Sequence, residues 1–297
     1  MKTSSLSLFQ RWLAFGIWAL LSCLVFVKPL FALVLLANQD GTYSYILLIP
    51  LITTWLLYMQ RKQPQPEFRF SVLPALVFAA ASALAFFVSL GCSACSPKDR
   101  LTIQIFALIL LVVAGFVLIQ GAARARTSSF ALGFLLFAVP IPEVVLNKII
   151  YGLQAGSAEI AEIFFNISGV PVLREGFIFR LPRMSIEVAR ECSGIRSSLA
   201  LLILALLVAH FSFHPLWKKL VFVLAGLCMM LVKNGIRIAS LTLLANYVDP
   251  DFLFGKLHRR GGVVFFLIGL VLLLPVYWFL RKGELSSATM PAQMTQN

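Results

Sequence analysis

The chain alternates between long, nearly uninterrupted apolar runs and short polar breaks. The runs cover about Trp12–Val27, Tyr45–Gln60, Val72–Leu90, Leu101–Gln120, Phe130–Leu146 and Ile195–Phe213, then one opening near Leu220 and one over about Val263–Leu280. Most approach the roughly 20 residues that a bilayer-crossing helix requires. They are continuously apolar, with no residue-by-residue alternation, which favours a helical bundle over a β-barrel. The pattern predicts an all-α polytopic membrane protein with about eight transmembrane helices. Lys28-Pro29 interrupts the first run and Asn38-Gln39-Asp40-Gly41 reads as a turn, while Pro140 and Pro142 interrupt the fifth run near its end. The first run lacks a small-residue cleavage site after it and reads as a retained signal-anchor helix.

One stretch, about Asn147–Glu191, is long and less apolar. Ile149, Ile150, Leu153, Ile160, Ile163 and Phe164 recur at helical spacing, which predicts an amphipathic helix lying on the outer face. Gly169-Val170-Pro171 ends it, and Val172–Arg190 then alternates in the manner of a small β-hairpin leading into Cys192. The expected organisation is a single integral-membrane domain over 1–285, with the outer-face insertion at about 147–191 and a short flexible tail at 286–297.

Of the 297 residues, 60% are hydrophobic and 12% charged, which excludes a soluble domain. The formal net charge of +13 needs no nucleic acid to explain it. Arg61/Lys62, Arg124/Arg126, Lys218/Lys219 and Arg281/Lys282 sit in short connections or at a terminus, as cytoplasmic loops do. Eight spans then place both termini in the cytoplasm, within a cell membrane. Basic residues after Leu173, around Cys192 and around His258 fall on the opposite side, against that bias, and mark a functional region. Five cysteines imply no disulfide framework. Cys23 and Cys228 read as packing residues, and Cys92-Ser93-Ala94-Cys95 reads as an oxidised structural pair or two thiols.

The candidate chemistry centres on Glu187–Ser198. Cys192 stands at the doorstep of an apolar span among Arg190, Glu191 and Arg196, where nearby cations favour a thiolate. If Gly194 opens the helix, its first N–H groups add partial positive charge. A catalytic thiol calls for a base, and the chain has three histidines. His210 and His214 follow Cys192 by 18 and 22 positions on one expected helix, roughly 27–33 Å away at 1.5 Å per residue. Their spacing would suit a metal, but two interfacial histidines are the simpler reading, and no metal or other cofactor is expected. His258 precedes the last span on the same side as Cys192 and is the base within reach. In Lys233-Asn234-Gly235-Ile236-Arg237-Ile238, an arginine arrives at the outer boundary of the seventh span. It is placed to stabilise a thiolate or a developing oxyanion, a role for which Arg196 is a rival. Gly235 permits either close helix approach or a break.

Glu191-Cys192-Ser193-Gly194-Ile195-Arg196-Ser197, Asn234-Gly235-Ile236-Arg237-Ile238 and His258 before Gly262 together resemble the exosortase/archaeosortase family of membrane-embedded cysteine transpeptidases. Asp40–Tyr45, Pro140-Ile141-Pro142-Glu143 and Gly169–Gly176 add weaker likeness. The resemblance implies an outward-facing site acting on exported proteins that carry a C-terminal sorting tail: a short signature, a membrane helix and a basic cluster. It implies Cys192 as nucleophile, His258 as proton shuttle and Arg237 as the residue orienting thiolate or oxyanion, with Arg196, Asn234 and Glu191 binding substrate or supporting the site. Tyr43-Ser44-Tyr45 stands where the family often carries a first-loop histidine. The alternatives are a transporter or channel with a basic outer vestibule, and an acyltransferase using Cys192.

Overall fold

The computed structural model describes residues 7–61, 71–253 and 262–288. Among these, seven helices are long and apolar enough to cross a membrane, or eight if one sharply bent pair forms a single span. The chain is an all-α polytopic membrane protein carrying one small sheet. It divides into two compact units, Met1–Leu146 and Asn147–Asn297.

In the first unit, α1 (Leu8–Val25) opens on a capping box, with Ser7 and Gln10 satisfying each other's backbone N–H groups. The first apolar run does not continue unbroken beyond it. Phe26 separates α1 from α2 (Val27–Gln39), whose 13 residues are too few to span. A 3-10 segment, Gly41–Leu48, leads into α3 (Ile49–Gln60), and α4 (Val72–Gly91) packs against α5 (Pro97–Gln120). Trp18 of α1 lies against Gly115 of α5, where a Cβ would fall 2.0 Å from the indole, and its Nε1 donates to the Leu111 carbonyl at 2.9 Å. Short helices α6 (Ala122–Thr127) and α7 (Ser129–Phe134) follow.

The fifth apolar run is broken where its two prolines are expected to interrupt it. It is helical over Ser129–Ala138, and the chain then bends by 91° into α8 (Glu143–Ile167). Pro140 and Pro142 supply no N–H, and Val139, preceding Pro140, adopts extended geometry at φ −77°, ψ 123°. Leu146 therefore belongs to α8, which begins four residues before the expected amphipathic helix.

In the second unit, α8 buries Ile150, Gln154, Ala158, Ala161 and Phe165, one every three or four residues. Ile149 and Ile163, also among the apolar residues of the expected amphipathic helix, are exposed. The expected hairpin is a three-stranded antiparallel meander: β1 (Leu173–Glu175), β2 (Ile178–Arg180) and β3 (Ser185–Glu187). Register pairs Arg174 with Phe179 and Phe179 with Ile186. Phe179 and Val188 enter a core with Ala158, Phe165 and Ile238, so the sheet is glued to α8 and to α10 (Leu216–Tyr247). Arg174 bridges to α8, its guanidinium donating to Glu159 at 2.8 Å and to Glu162 at 2.6 Å.

Between sheet and α10 lies α9 (Ile195–Ser212). His210 is within it, but His214 lies past its end, so the two histidines do not share a helical face. At 32 residues, α10 is about 48 Å long, well over a hydrocarbon core of about 30 Å. It runs unbroken through Gly235, ten residues beyond Arg237, and continues along the sheet. The last helix, α11 (Gly262–Ala288), packs on α9 and α10. Cys228, expected to pack inside its span, is on an exposed face of α10.

Candidate active site

Cys192 sits in a single 3-10 turn, Arg190–Ser193, that delivers the meander into α9. The turn closes through a bond from the Cys192 N–H to the Ala189 carbonyl at 2.9 Å. Gly194 follows with φ +70°, a left-handed conformation in which other residues are strained. That one residue reverses the chain so the nucleophile candidate stands beside the helix mouth instead of inside the helix. Gly194 is also the N-cap of α9 and supplies no capping side chain, so no capping side chain takes up the N–H groups of the helix's first turn.

The turn is held from beneath by α10. The Asn234 amide donates to the Cys192 carbonyl at 2.9 Å and to Ser157 Oγ of α8 at 3.0 Å. Asn234 is fully enclosed, and a Cβ on residue 194 would lie 2.6 Å from its Oδ1. Its neighbour Lys233 is buried to 1% exposure inside the span, and its ammonium donates to Ser197 Oγ. Ser197 in turn donates to the Gly194 carbonyl at 3.1 Å. Two adjacent residues of α10 thus fix the carbonyls on both sides of Ser193, one directly and one through a serine. Ser193 itself has no exposed surface, and neither its Oγ nor that of Ser198 finds a hydrogen-bond partner among the described residues.

Two further contacts tie the incoming strand down. Gln154 of α8 donates to the Val188 carbonyl at 2.9 Å, and Arg190 donates to Asn147 Oδ1 at 2.6 Å. The close approach of α8 to α10 depends on Gly235, where a Cβ would lie 2.4 Å from Ile160 Cγ2 and 3.2 Å from the Ala161 backbone nitrogen. Its role is therefore helix contact, and the alternative of a helix break is excluded.

Cys192 and Arg237 line the same small cleft, a cavity of ≈ 70 Å³ closed by Ile186 and Val188 of the sheet side and by Leu241 and Thr242 of α10. A half-buried sulfur and a guanidinium thus line one mostly apolar wall, and a cation beside a thiol favours its thiolate. Arg196, the rival cation, is exposed on the first turn of α9 and does not line this cleft. His258 and the side chain of Glu191 lie outside the described residues. No group of three or more His, Cys, Asp or Glu side chains suited to a metal occurs among the described residues.

A family model described as transmembrane exosortase matches residues 37–275, a stretch containing Cys192, Asn234, Arg237 and His258. The chain belongs to the transmembrane exosortase family. Comparison with curated proteins and with solved structures gives no match. Against that family background, the exosortase turn gains supports that reading the sequence passed over: Lys233, Ser197, Ser157 and Gln154. Only Lys233 carried a sequence signal, being an ionisable residue within an apolar run and one turn before Arg237.

Proposed function

We propose that this exosortase is a cysteine peptidase or transpeptidase that removes the C-terminal sorting tail of exported proteins at the outer face of a cell membrane. The observation carrying this reading is the joint lining of one cleft by Cys192 and Arg237. In the first step the Cys192 thiolate attacks the carbonyl carbon of the substrate's scissile peptide bond. The tetrahedral oxyanion is met by the Arg237 guanidinium and by N–H groups of the uncapped first turn of α9. The C–N bond then breaks, the tail leaves as an amine carrying a proton from His258, and an S-acyl thioester remains on Cys192. An amine acceptor or water, deprotonated by His258, attacks the thioester and returns the thiolate.

Desolvation favours this placement. The substrate's own membrane helix, confined to the same bilayer, brings the scissile bond to the span mouth without a deep aqueous pocket, so proximity comes from the lipid phase. Glu191, next to Cys192 in sequence, and Arg196, on the first turn of α9, serve as contacts for the signature segment of the tail. Lys233 and Asn234 act as positioning residues: they touch no reacting atom and hold the backbone from which the thiol projects.

The test is co-expression of the full chain with an exported substrate bearing a signature, a membrane helix and a basic cluster. Substrate mobility is compared for wild type, Cys192→Ala, Arg237→Ala and His258→Ala. All three variants are expected to accumulate in the membrane and to leave the substrate uncleaved. Processing that survives Cys192→Ala or Cys192→Ser removes the thiol from the chemistry and leaves a transporter reading standing. Labelling of Cys192 by an activated lipid, with no peptide-tail intermediate, points instead to acyl transfer.

A further inference from the structure

The Cys92-Ser93-Ala94-Cys95 loop has no part in the reaction above. Its two cysteines form a disulfide, which closes the loop ahead of α5. Immediately beside it, within the first unit, a cleft of ≈ 370 Å³ runs between α2 and the first two turns of α5. That volume lies in the range of small-ligand sites.

The cleft is polarised along its length. Its apolar flank is built from Leu35, Leu36 and Leu101, and its polar mouth from Gln39, Lys98 and Arg100 beside the disulfide. The lining contains two cations and no carboxylate. Asp99, the one acid in this turn of α5, has a carboxylate that accepts the Glu143 N–H at 2.9 Å and does not line the cleft. Arg100 is held in place, because one of its terminal nitrogens donates to the Cys92 carbonyl at 2.9 Å. A guanidinium offers five N–H donors, so this anchor leaves others for a ligand. Its Nε is buried with no hydrogen-bond partner among the described residues. Lys98 is exposed at the rim and adds a movable point charge. Ser96 caps the helix through the Asp99 N–H at 3.1 Å, which leaves the positive end of a 24-residue helix facing the same mouth.

We propose that this cleft binds an anionic phospholipid, its phosphate held by Lys98 and Arg100 and one acyl chain lying along Leu35, Leu36 and Leu101. A charged head beside an apolar trough fits an amphiphile and fits neither a free anion, which has no use for the leucines, nor a neutral lipid, which leaves two cations unmatched. The disulfide keeps the Cys92 carbonyl where Arg100 needs it, so the loop acts as the rigid edge of a headgroup site. The second wall of the cleft is the C-terminal half of α2, from Ala32 to Gln39.

The full chain is reconstituted into bilayer discs of phosphatidylethanolamine containing a minor fraction of phosphatidylglycerol. After re-extraction in mild detergent, the lipid retained on the protein is measured by mass spectrometry. Wild type is expected to retain phosphatidylglycerol above its bulk ratio, and each removed charge (Lys98→Gln, Arg100→Gln) to lower that enrichment by roughly fivefold. Cys92→Ser with Cys95→Ser is expected to lower it as well, by loosening the Arg100 anchor. Retention at the bulk ratio in wild type overturns the proposal, as does unchanged enrichment in the doubly neutralised variant. Release of the lipid by millimolar inorganic phosphate would assign a free-anion site and overturns it too. Should Arg100→Gln misfold, Lys98→Gln alone decides, because that side chain is exposed. Substrate processing is followed in parallel and is read separately, so failure here leaves the cysteine chemistry untouched.

Discussion

The two units bury polar side chains for different ends. In the first, the buried hydroxyls that are paired bond to main-chain carbonyls: Ser22 to Trp18, Ser82 to Ala107 at 2.6 Å, Thr102 to Pro140 at 3.0 Å, while those of Thr53 and Ser128 find no hydrogen-bond partner among the described residues. Arg124, buried to 3% exposure, likewise donates to the Gln60 carbonyl at the end of α3, where a cation meets the negative helix end. The Ser82 bond ties α4 to α5 and the Arg124 bond ties α6 to α3, the Ser22 bond stays within α1, and together they are scattered. In the second unit Gln154, Ser157, Ser197, Lys233 and Asn234 converge on one short segment, residues 188–194. The same chemical currency of buried hydrogen bonds is spread for cohesion in one unit and focused for placement in the other. Focus of that kind marks a site more reliably than burial of polar groups alone.

The sharpest way to break the contrast is Gly194→Ala. The new Cβ meets the Asn234 amide at 2.6 Å and stands on a left-handed residue, so the turn must shift. Substrate processing is expected to fall about a hundredfold, the cost of roughly an ångström of misplacement. Gly133→Ala in the first unit, with open space at its Cβ, should leave it intact. Next comes Lys233→Met, which keeps the length of the stem and removes the donor to Ser197. Alkylation of Cys192 by a water-soluble reagent is expected to slow about tenfold, the effect of losing one charge-assisted bond, with Lys233→Arg restoring part of the rate.

Gly235→Val tests the α8–α10 contact on which the turn rests. Overpacking against Ile160 is expected to cost about 1–3 kcal/mol, read as a lowered midpoint of thermal unfolding in detergent. Ser82→Ala, its counterpart in the first unit, should cost about 1 kcal/mol and leave Cys192 alkylation unchanged. The smallest effect belongs to the exposed pair at the sheet edge. The Arg174 guanidinium bonded to Glu159 holds that carboxyl below its ordinary range. A lowered folded-state value means the pair stabilises above the unfolded carboxylate's titration and is lost as pH falls through the folded one. Unfolding midpoints should therefore drop slightly below about pH 4, where an unperturbed glutamate protonates, and Glu159→Gln should abolish that part of the slope.

The spans were legible because lipid tolerates nothing but long apolar helices there, and a run such as Val72–Gly91 admits no other reading. Cys192 and Arg237 were legible as candidates because ionisable or reactive residues at span boundaries stand out against apolar surroundings. The third strand was not, since strands of three residues are too short for alternation to declare itself. The break between α1 and α2 was legible, since Lys28-Pro29 interrupts the first run and a proline there removes a helical hydrogen bond. Ser157 and Gln154 carried no signal at all: their roles arise from which face of α8 meets α10, and Gly156 and Gly235, which permit that approach, speak only once the helices are docked.

The contact between Gly194 and the Asn234 amide makes these distant positions one mutational unit. A bulkier residue at 194 needs a smaller one at 234, yet the smaller one releases the Cys192 carbonyl, and the torsional penalty at 194, about 1–2 kcal/mol, is not relieved by either. No single compensating exchange restores both, so attempts to re-engineer the specificity of this turn have to begin elsewhere on its rim.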